Sequence, residues 1–475
     1  MNLQAATPLI ILSLTAALLL AVIAASRSHG LTASVTAVGI AIALLSIPYA
    51  LNARHPAMVA LFTFNPVSLS FIGLILASAL LILGISTEYS QGQTALPREE
   101  FPLLLILGTI GACALAASAS FITLFLGLET MTLAMIGMIA YPRFRPQAEE
   151  AGLKYLILSG MSSGFVLFGI GLIELSCGSL NFVQVLAWNA PDAPSHAMIL
   201  AGLAMLGIGA GFKLSVVPFH VWVPDIYGGA PAPSGAYVAV IAKIAVLAVL
   251  IRVLAMPGAA LMPGMVHAIT LIAIASMLIG NLLALLQDNI KRILGYSSIA
   301  HLGYLLVAML SAGAIGQIAE TFYITTYAIS MTAAFGVIAA MSNAEAPCDI
   351  DKLDDFRSMF WTRPGLAATM TLALLSLAGM PPAIGFIAKM YIMAAGVHAE
   401  LWSLTAVIIV SSVIGLFYYL NIILTMAGRP SASRPPVSLH ISLTSRLAMA
   451  AIGLPMLAFG IAPQPLIALL KLMFG

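Results

Sequence analysis

The sequence predicts an all-α polytopic membrane protein with about fourteen transmembrane helices. Apolar residues make up 61% of the 475 residues and charged residues only 8%, whereas soluble domains carry about 25% charged residues. The mean hydropathy is +1.08. These values exclude a water-soluble globular fold, because a solvated surface needs far more charged side chains.

Charge is nearly balanced, with 19 Lys and Arg against 17 Asp and Glu and a formal net charge of +2. We therefore expect no nucleic-acid partner, since binding to phosphates needs a strong basic excess. The three cysteines, Cys113, Cys177 and Cys348, are far apart and form no CxxC pair or other metal-ligand spacing. We expect no metal or redox cofactor on this chain.

Runs of about twenty mostly apolar residues between polar breaks mark the candidate spans. The first run is followed, not preceded, by a positive residue, Arg27, so we interpret it as a retained helix and not as a signal peptide. No separate soluble domain is expected. In chain order, spans 1 to 14 are expected at 8–26, 31–51, 67–86, 101–118, 120–141, 152–176, 197–222, 233–256, 262–286, 293–312, 319–343, 364–395, 401–427 and 446–470.

The distribution of Lys and Arg over the loops predicts the orientation. The loops on one side contain only Arg54, Arg252 and Lys471. Because positive residues are retained in the cytoplasm, the other side is predicted to be cytoplasmic, with both termini outside. The loops after the odd-numbered spans contain twelve Lys and Arg, namely Arg27, Arg98, Arg143, Arg145, Lys291, Arg292, Lys352, Arg357, Arg363, Arg429, Arg434 and Arg446.

Charged residues inside predicted spans are the most informative residues in the chain. An ionised side chain at the centre of a span costs about 2.5–3.5 kcal/mol when it faces lipid. These residues are therefore expected to face each other or internal water. They are Glu129 in span 5, Lys154 in span 6, Lys213 in span 7, Lys243 in span 8 and Lys389 in span 12.

Buried lysine and glutamate side chains change their proton affinity with small movements in a partly hydrated interior. The four lysines, Glu129 and His301 of span 10 are therefore predicted to form a chain of titratable groups joined by water. Lys154 has an alternative, which is pairing with Glu149 and Glu150 at the start of its helix. His301 taken alone fits a buried core histidine equally well.

Two of the lysine-bearing spans also contain proline at membrane depth. Pro218 follows Lys213 in GFKLSVVPFHVWVP, and Pro381 and Pro382 precede Lys389 in AGMPPAIGFIAKM. Proline removes a backbone donor, and non-helical backbone at this depth is tolerated only where protein covers it or where it lines a watery cavity. Spans 7 and 12 are therefore predicted to be broken, as at transporter ion sites. An ordinary proline kink is the alternative for each.

The position of the two breaks, five spans apart, favours two copies of a five-helix unit. An odd number of helices makes the second copy start from the opposite side, so spans 4–8 and 9–13 are predicted to form an inverted repeat. The expected organisation is 1–100 for spans 1–3, 101–256 for the first repeat, 262–427 for the second repeat, and 428–475 for a linker and span 14.

Three segments resemble the antiporter-like membrane subunits of bacterial respiratory complex I, the NADH:quinone oxidoreductase. They are GFKLSVVPFHVWVPDIYGGAPAP from Gly211, NIKRILGYSSIAHLGYLLVA from Asn289, and LSLAGMPPAIGFIAKMYI from Leu375. The resemblance runs over essentially the whole chain. The PDIYGGAPAP form, the lysine in span 12 and the lack of a long C-terminal extension resemble subunit N of that family more than subunits M or L.

The resemblance implies a role for each matched position. In the family, the glutamate of span 5 and the lysine of span 7 control proton uptake. The lysine of span 8 and the histidine of span 10 connect the halves, and the lysine of span 12 leads to the exit side. The matching residues are Glu129, Lys154, Lys213, Lys243, His301 and Lys389.

The resemblance also implies a setting in the bacterial inner membrane, with both termini periplasmic and protons moving from cytoplasm to periplasm. NADH, FMN, iron–sulfur clusters and a quinone, expected to be ubiquinone, would belong to other subunits. The implied partners are the antiporter-like subunit M, small subunits of the K and J type, the lipid bilayer and internal water. Three alternatives stay open: a multisubunit Na⁺(K⁺)/H⁺ antiporter subunit, a membrane subunit of an energy-converting hydrogenase, and a structural anchor whose buried charges serve only helix packing.

Overall fold

The computed structural model is helical over most of its length. It describes residues 3–53, 57–59, 61–91, 98–142, 145–187, 196–256, 263–311, 313–342, 349–429 and 443–474. Several residues of the sequence-based predictions lie outside this part of the chain. They are Cys348, Arg54, Arg143, Arg434 and most of the predicted linker, at 430–442.

The helices follow one another along the chain. A two-stranded antiparallel hairpin, β1 Ala57–Val59 and β2 Phe62–Phe64, lies between α3 and α4. The helices are α1 Thr7–Ala25, α2 His29–Leu45, α3 Ile47–Leu51, α4 Pro66–Gln91, α5 Glu100–Ala116, α6 Phe121–Ile139, α7 Pro146–Cys177, α8 Phe182–Ala187, α9 His196–Leu214, α10 Val223–Gly229, α11 Ala232–Leu254, α12 Pro263–Ala284, α13 Ile290–Leu310, α14 Gly313–Met341, α15 Met359–Thr362, α16 Pro364–Ala378, α17 Ile384–His398, α18 Trp402–Ala427, α19 Leu443–Ile461 and α20 Gln464–Phe474.

The all-α membrane fold is confirmed, whereas the number of spans stays a prediction. Among the described helices, eleven are long and apolar enough to cross a membrane, or twelve if α19 and α20 form one bent span. The shorter apolar helices α5, α16 and α17 correspond to spans 4 and 12. Span 14, expected as one helix, is bent by 86° between α19 and α20. Pro463 lies at this bend and lacks the N–H group that would continue α19.

Three helices, α11, α13 and α14, form the centre of the bundle. Most of their residues are buried within the protein, whereas α1, α2 and α12 present most of theirs to the surroundings. Spans must satisfy their backbone polar groups internally, which explains why all of them are helical. The central helices carry Lys243 and His301, so both side chains are kept away from lipid.

The helices of the two predicted five-helix units pack in corresponding pairs. In the first unit α5 packs on α6 and α11, and in the second α12 packs on α13 and α18. Small residues allow a close approach in each unit. A Cβ atom on Gly111 would lie 2.5 Å from the backbone nitrogen of Met131, and one on Gly280 would lie 2.8 Å from that of Ala300. These similarities support a repeat, while its inverted orientation stays a prediction.

Both predicted helix breaks are present. Helix α9 ends at Leu214, and α10 begins only at Val223, so Pro218 lies in non-helical backbone. Helix α16 ends at Ala378 and α17 begins at Ile384, with Pro381 and Pro382 between them. Spans 7 and 12 are therefore interrupted and not merely kinked. Each break leaves carbonyl groups at the end of a helix that need donors from elsewhere in the protein.

Candidate functional site

Lys213 lies in the last turn of α9, immediately before the first break, and its side chain is buried. Its ammonium group donates to the hydroxyl oxygen of Thr132 at 2.6 Å and to that of Tyr155 at 3.2 Å. The same nitrogen stands 5.2 Å from the centre of the Tyr155 ring and 5.6 Å from that of Phe212. Hydroxyl oxygens and aromatic faces thus surround the cation without neutralising it.

Lys243, from the centre of α11, reaches the backbone of the break. Its ammonium group donates to the carbonyl oxygen of Lys213 at 2.6 Å and to the hydroxyl oxygen of Ser215. It also stands 5.2 Å from the centre of the Trp222 ring. Ser215 has a left-handed backbone conformation, with φ of 65°, which turns the chain out of α9. In a continuous helix the carbonyl of Lys213 would accept a hydrogen bond within the helix. The break leaves it free to accept from Lys243, which brings the two lysines together.

Glu129 is half-buried on α6 and does not contact Lys213 directly. Its carboxylate accepts a hydrogen bond from Ser163 of α7. Thr132, the main partner of Lys213, lies three residues after Glu129 and so on the same face of α6. The carboxylate and the ammonium are therefore about one helical turn apart along α6, with hydroxyl groups on both sides.

Lys389 occupies the second break. It lies on α17, is buried, and donates from its ammonium group to the carbonyl oxygen of Ala378 at 2.7 Å, at the end of α16. Gly379 follows with a φ of 78°, and a Cβ atom there would meet the methylene chain of Lys389. Glycine at this position thus permits both the turn and the approach of the lysine. The ammonium group stands 5.2 Å from the centre of the Tyr304 ring.

His301 is the centre of a network of tyrosine hydroxyls in the second unit. Its Nδ1 lies 2.6 Å from the hydroxyl oxygen of Tyr323, and its Nε2 lies 3.1 Å from that of Tyr419. The ring of Tyr304 packs edge-on against the His301 ring, with ring centres 5.6 Å apart, and its hydroxyl hydrogen-bonds Ser411 at 2.9 Å. Both ring nitrogens therefore have partners that can donate or accept a proton. These tyrosines could not be predicted, because a tyrosine inside a span has no sequence signal that separates it from other aromatic residues.

Lys154 lies apart from the lysines at the breaks. Its side chain is 43% exposed on α7 and pairs with Glu150 at 2.7 Å and Asp225 at 2.9 Å. Asp225, in α10 just after the first break, also pairs with Arg292 of α13 at 3.0 Å. The neighbour of Lys154, Tyr155, is the residue that contacts Lys213. Lys154 thus pairs with Glu150, one of the two acids of the alternative interpretation, and with Asp225, while its place in the proton chain stays a prediction.

Asp349 joins four elements at the end of the bundle where α13 begins. Its carboxylate, 3% exposed, pairs with Lys291 at 3.0 Å and Arg145 at 2.9 Å. It also accepts from the Tyr89 hydroxyl at 2.6 Å and the Ala232 backbone at 2.9 Å. Burial by itself raises the pKa of Asp349, but Lys291, Tyr89 and Arg145 together hold that pKa below its ordinary value. The predicted spans leave Tyr89, Arg145, Ala232, Lys291 and Asp349 in loops, so the cluster was not predicted from the sequence.

Comparisons with known proteins agree over almost the whole chain. The family described as "NADH:quinone oxidoreductase/Mrp antiporter, TM" matches residues 118–415. NADH-quinone oxidoreductase subunit N of Ectopseudomonas mendocina (strain ymp) is 40% identical over 98% of this chain and 96% of that protein.

Solved structures share the fold. A chain of respiratory complex I from Thermus thermophilus with bound aureothin superposes with a TM-score of 0.81 at 30% identity, covering 97% of this chain and 98% of that chain. A chain of the Mrp complex from Dietzia sp. DQ12-45-1b gives 0.85 at 21% identity, covering 99% and 96%. A chain of the membrane-bound sulfane sulfur reductase, an archaeal respiratory membrane complex, gives 0.84 at 21% identity, covering 98% and 96%. The last two likenesses concern the fold alone.

Proposed function

Since this chain belongs to the family of antiporter-like membrane subunits found in NADH:quinone oxidoreductases and Mrp antiporters, we propose that it translocates protons as an N-type subunit of a bacterial NADH:quinone oxidoreductase. The observation that carries this proposal is the pair of buried lysines at the first helix break, Lys213 and Lys243. Charged residues at this depth are costly, and in membrane proteins they mark ion and proton pathways.

In the first unit, the contacts of Lys213 support a switch in proton affinity. A shift of its ammonium group from Thr132 toward Glu129 would form an ion pair and retain the proton. Return to Thr132 removes that stabilisation and favours release. Lys243 is a second like charge in the same low-dielectric region, so arrival of a proton on either lysine favours its departure from the other.

In the second unit, His301 and Lys389 continue the path. Helix α11, which carries Lys243, packs on α13, which carries His301. The imidazole accepts a proton at one nitrogen and releases one at the other, and its hydroxyl partners lie on both sides. Lys389 at the second break then receives the proton on the path to the exit side. Every step transfers a proton between side chains or through internal water, and none needs a redox group.

The proposed direction is from cytoplasm to periplasm in the bacterial inner membrane, with both chain termini periplasmic. The driving reaction is electron transfer from NADH to a quinone, and NADH, FMN, the iron–sulfur clusters and the quinone are assigned to other subunits. The proposed neighbours are an antiporter-like M subunit and small K- and J-type subunits. The antiporter and hydrogenase alternatives have less support, because the 40% identity to a subunit N extends over 98% of this chain and 96% of that protein, while the Mrp likeness is one of fold.

The test of this proposal is Lys213→Ala in the intact complex, reconstituted into vesicles, with NADH oxidation and proton uptake measured together. Loss of the ammonium group should lower the number of protons pumped per NADH oxidised while the complex still assembles. Lys471→Ala, a change at an exposed position of α20, is the control. Wild-type pumping by an assembled Lys213→Ala complex would contradict the proposal.

A second experiment tests the complex itself. The C-terminus is tagged, the membranes are extracted in mild detergent, and the proteins that co-purify are identified and assayed for NADH oxidation. FMN- and iron–sulfur-containing partners with NADH activity support the assignment. Purely membrane partners without a redox cofactor would favour the cation/proton antiporter.

A further inference from the structure

Glu320 in α14 is a buried acid that lies outside the proposed proton path. Its side chain is 2% exposed, and its Oε1 has no hydrogen-bond partner. Within the described part of the chain, the carboxylate also has no ion pair. It therefore differs from Asp349 and Asp225, whose carboxylates are matched by cations.

An isolated carboxylate at this depth needs an explanation. Burying an ionised carboxylate without a partner costs several kcal/mol, whereas a bound proton removes the charge. An apolar side chain of similar volume would fill the same space without this cost. The capacity to gain and lose a proton is a property of Glu320 that such a side chain lacks.

The position of Glu320 on α14 connects it to the network around His301. Tyr323 and Tyr327 lie three and seven residues further along, so all three side chains share one face of the helix. The hydroxyl of Tyr323 lies 2.6 Å from Nδ1 of His301, and that of Tyr327 lies 2.7 Å from Oγ of Ser298. The carboxyl of Glu320 is thus about one helical turn from Tyr323, whose hydroxyl contacts His301.

Asp349 lies at one end of the bundle. Glu320 lies between the network around His301 and the opposite end. Helix α13 begins beside Lys291, which binds Asp349, and ends at Leu310; α14 then starts back from Gly313. Glu320 is seven residues into α14, which is about 10 Å along the helix axis. In the proposed orientation this end is periplasmic.

We propose that Glu320 is a proton-relay residue on a second branch, beside the branch through Lys389, between His301 and the periplasmic end of the subunit; this inference rests on the proposed function. The imidazolium of His301 gives a proton to the hydroxyl oxygen of Tyr323, and that hydroxyl gives its own proton to the carboxylate of Glu320, directly or through one water. Imidazolium and carboxylate become neutral imidazole and carboxylic acid, and Tyr323 ends unchanged. The acid then releases its proton to water toward the periplasm and returns to the carboxylate.

The experiment uses the intact complex in vesicles, with Glu320→Gln and Glu320→Met. Glutamine keeps the shape of the side chain, and methionine removes the buried polar group, so at least one of the two is expected to assemble. In an assembled variant, the number of protons pumped per NADH oxidised should fall below the wild-type number but not below that of Lys213→Ala, because the branch through Lys389 remains. Glu400→Gln, an exposed acid at the same end of the bundle, is the control and should pump normally.

A third variant, Glu320→Asp, distinguishes a proton-relay role of Glu320 from a role in packing. A relay role predicts that Asp, which keeps the acid in a shorter side chain, pumps more than Gln, whereas a packing role predicts the reverse order. Infrared difference spectra of the working complex should show a carboxylic-acid band that is absent in Glu320→Gln. Wild-type pumping by Glu320→Gln or Glu320→Met, together with a defect in Lys213→Ala, overturns the role of Glu320 alone. Normal pumping by Lys213→Ala as well would overturn the proposed function.

Discussion

The ammonium group of Lys243 donates a hydrogen bond to the backbone carbonyl oxygen of Lys213, 2.6 Å away. It thereby closes the carboxyl end of α9, where the break leaves carbonyls without intrahelical donors. A cation at this end also opposes the negative end of the helix dipole. Lys389 repeats the arrangement at the end of α16, through the carbonyl of Ala378. In both units a titratable group is thus also a helix cap, so the charge of the lysine and the geometry of the break are coupled.

We expect Lys243→Met to impair both stability and pumping. The substitution leaves the carbonyl of Lys213 buried without this donor, which costs about 1–3 kcal/mol. The purified complex should unfold at a lower temperature, and fewer protons should be pumped per NADH oxidised. Lys471→Met changes an exposed lysine and is the control. A variant that loses stability but pumps normally would restrict Lys243 to the role of a cap.

Glu129→Gln should weaken pumping more than Glu174→Gln. Glu129 is half-buried one turn before Thr132, which holds Lys213, whereas Glu174 is exposed near the end of α7. Removal of the Glu129 carboxylate therefore removes the group with which Lys213 would form an ion pair, whereas removal of the Glu174 carboxylate does not. The protons pumped per NADH oxidised by the two assembled variants provide the comparison. Equal effects would show that Glu129 has no special part in proton uptake.

Gly385→Ala should disrupt the second break. A Cβ atom on Gly385 would overlap the carbonyl oxygen of Ser376, which is backbone and cannot move aside cheaply. Overpacking of this kind costs about 1–3 kcal/mol or more, so the unfolding temperature of the complex should fall. A Cβ atom on Gly171 of α7 meets nothing within 4 Å, and Gly171→Ala should be neutral or stabilising by up to about 1 kcal/mol. Equal unfolding temperatures for the two variants would contradict this packing.

Asp349→Asn should destabilise the subunit far more than Asp354→Asn. The first substitution leaves Lys291, whose side chain is 3% exposed, without its carboxylate. Breaking a buried pair in this way costs about 3–5 kcal/mol. Asp354 is 81% exposed and pairs loosely with Arg357 at 3.6 Å, so its loss should change little. Thermal unfolding of the detergent-extracted complex measures both, and similar midpoints would contradict the assigned role of Asp349.

The contribution of Asp349 should depend on pH in a defined direction. Lys291, Tyr89 and Arg145 hold the pKa of Asp349 below its ordinary value despite burial. Stabilisation from a lowered pKa is complete above the ordinary carboxyl pKa of about 3.9 and is lost as the pH falls through the folded-state value. The stability difference between the wild type and Asp349→Asn should therefore be constant near neutral pH and shrink only in acid. A difference that already shrinks between neutral pH and about pH 5 would contradict this assignment.

The breaks and the deep lysines could be predicted from sequence because membrane depth makes them exceptional. Lys213, Lys243 and Lys389 each have apolar turns on both sides, and a cation in that setting has few explanations. Pro218 marks the first break because a proline at membrane depth removes a backbone donor and interrupts a helix. The partners of these lysines could not be predicted. Carbonyl groups at a helix end, such as that of Ala378, have no sequence signature and become acceptors only when another helix arrives.

Residues near predicted boundaries were harder to interpret. Span 11 was predicted to begin at 319, which places Glu320 at a helix end, whereas α14 begins at Gly313 and carries Glu320 two turns inside. Lys291 was placed in a loop before span 10, although α13 begins at Ile290 and buries it. An error of a few residues in a boundary thus changes whether a charge is read as solvated or buried. Only tertiary packing, which brings Asp349 to Lys291, resolves such cases.

The cluster at Asp349 also has a consequence for the order in which a nascent chain completes its fold. All of the groups that donate to this carboxylate precede it in the sequence, so translation delivers the cations first and the counter-charge last. Until residue 349 has been synthesised, Arg145 and Lys291 lack the carboxylate with which they pair in the finished fold. The cluster is therefore completed only after the first helices of the second unit have been synthesised. The donors are Tyr89, Arg145, Ala232 and Lys291.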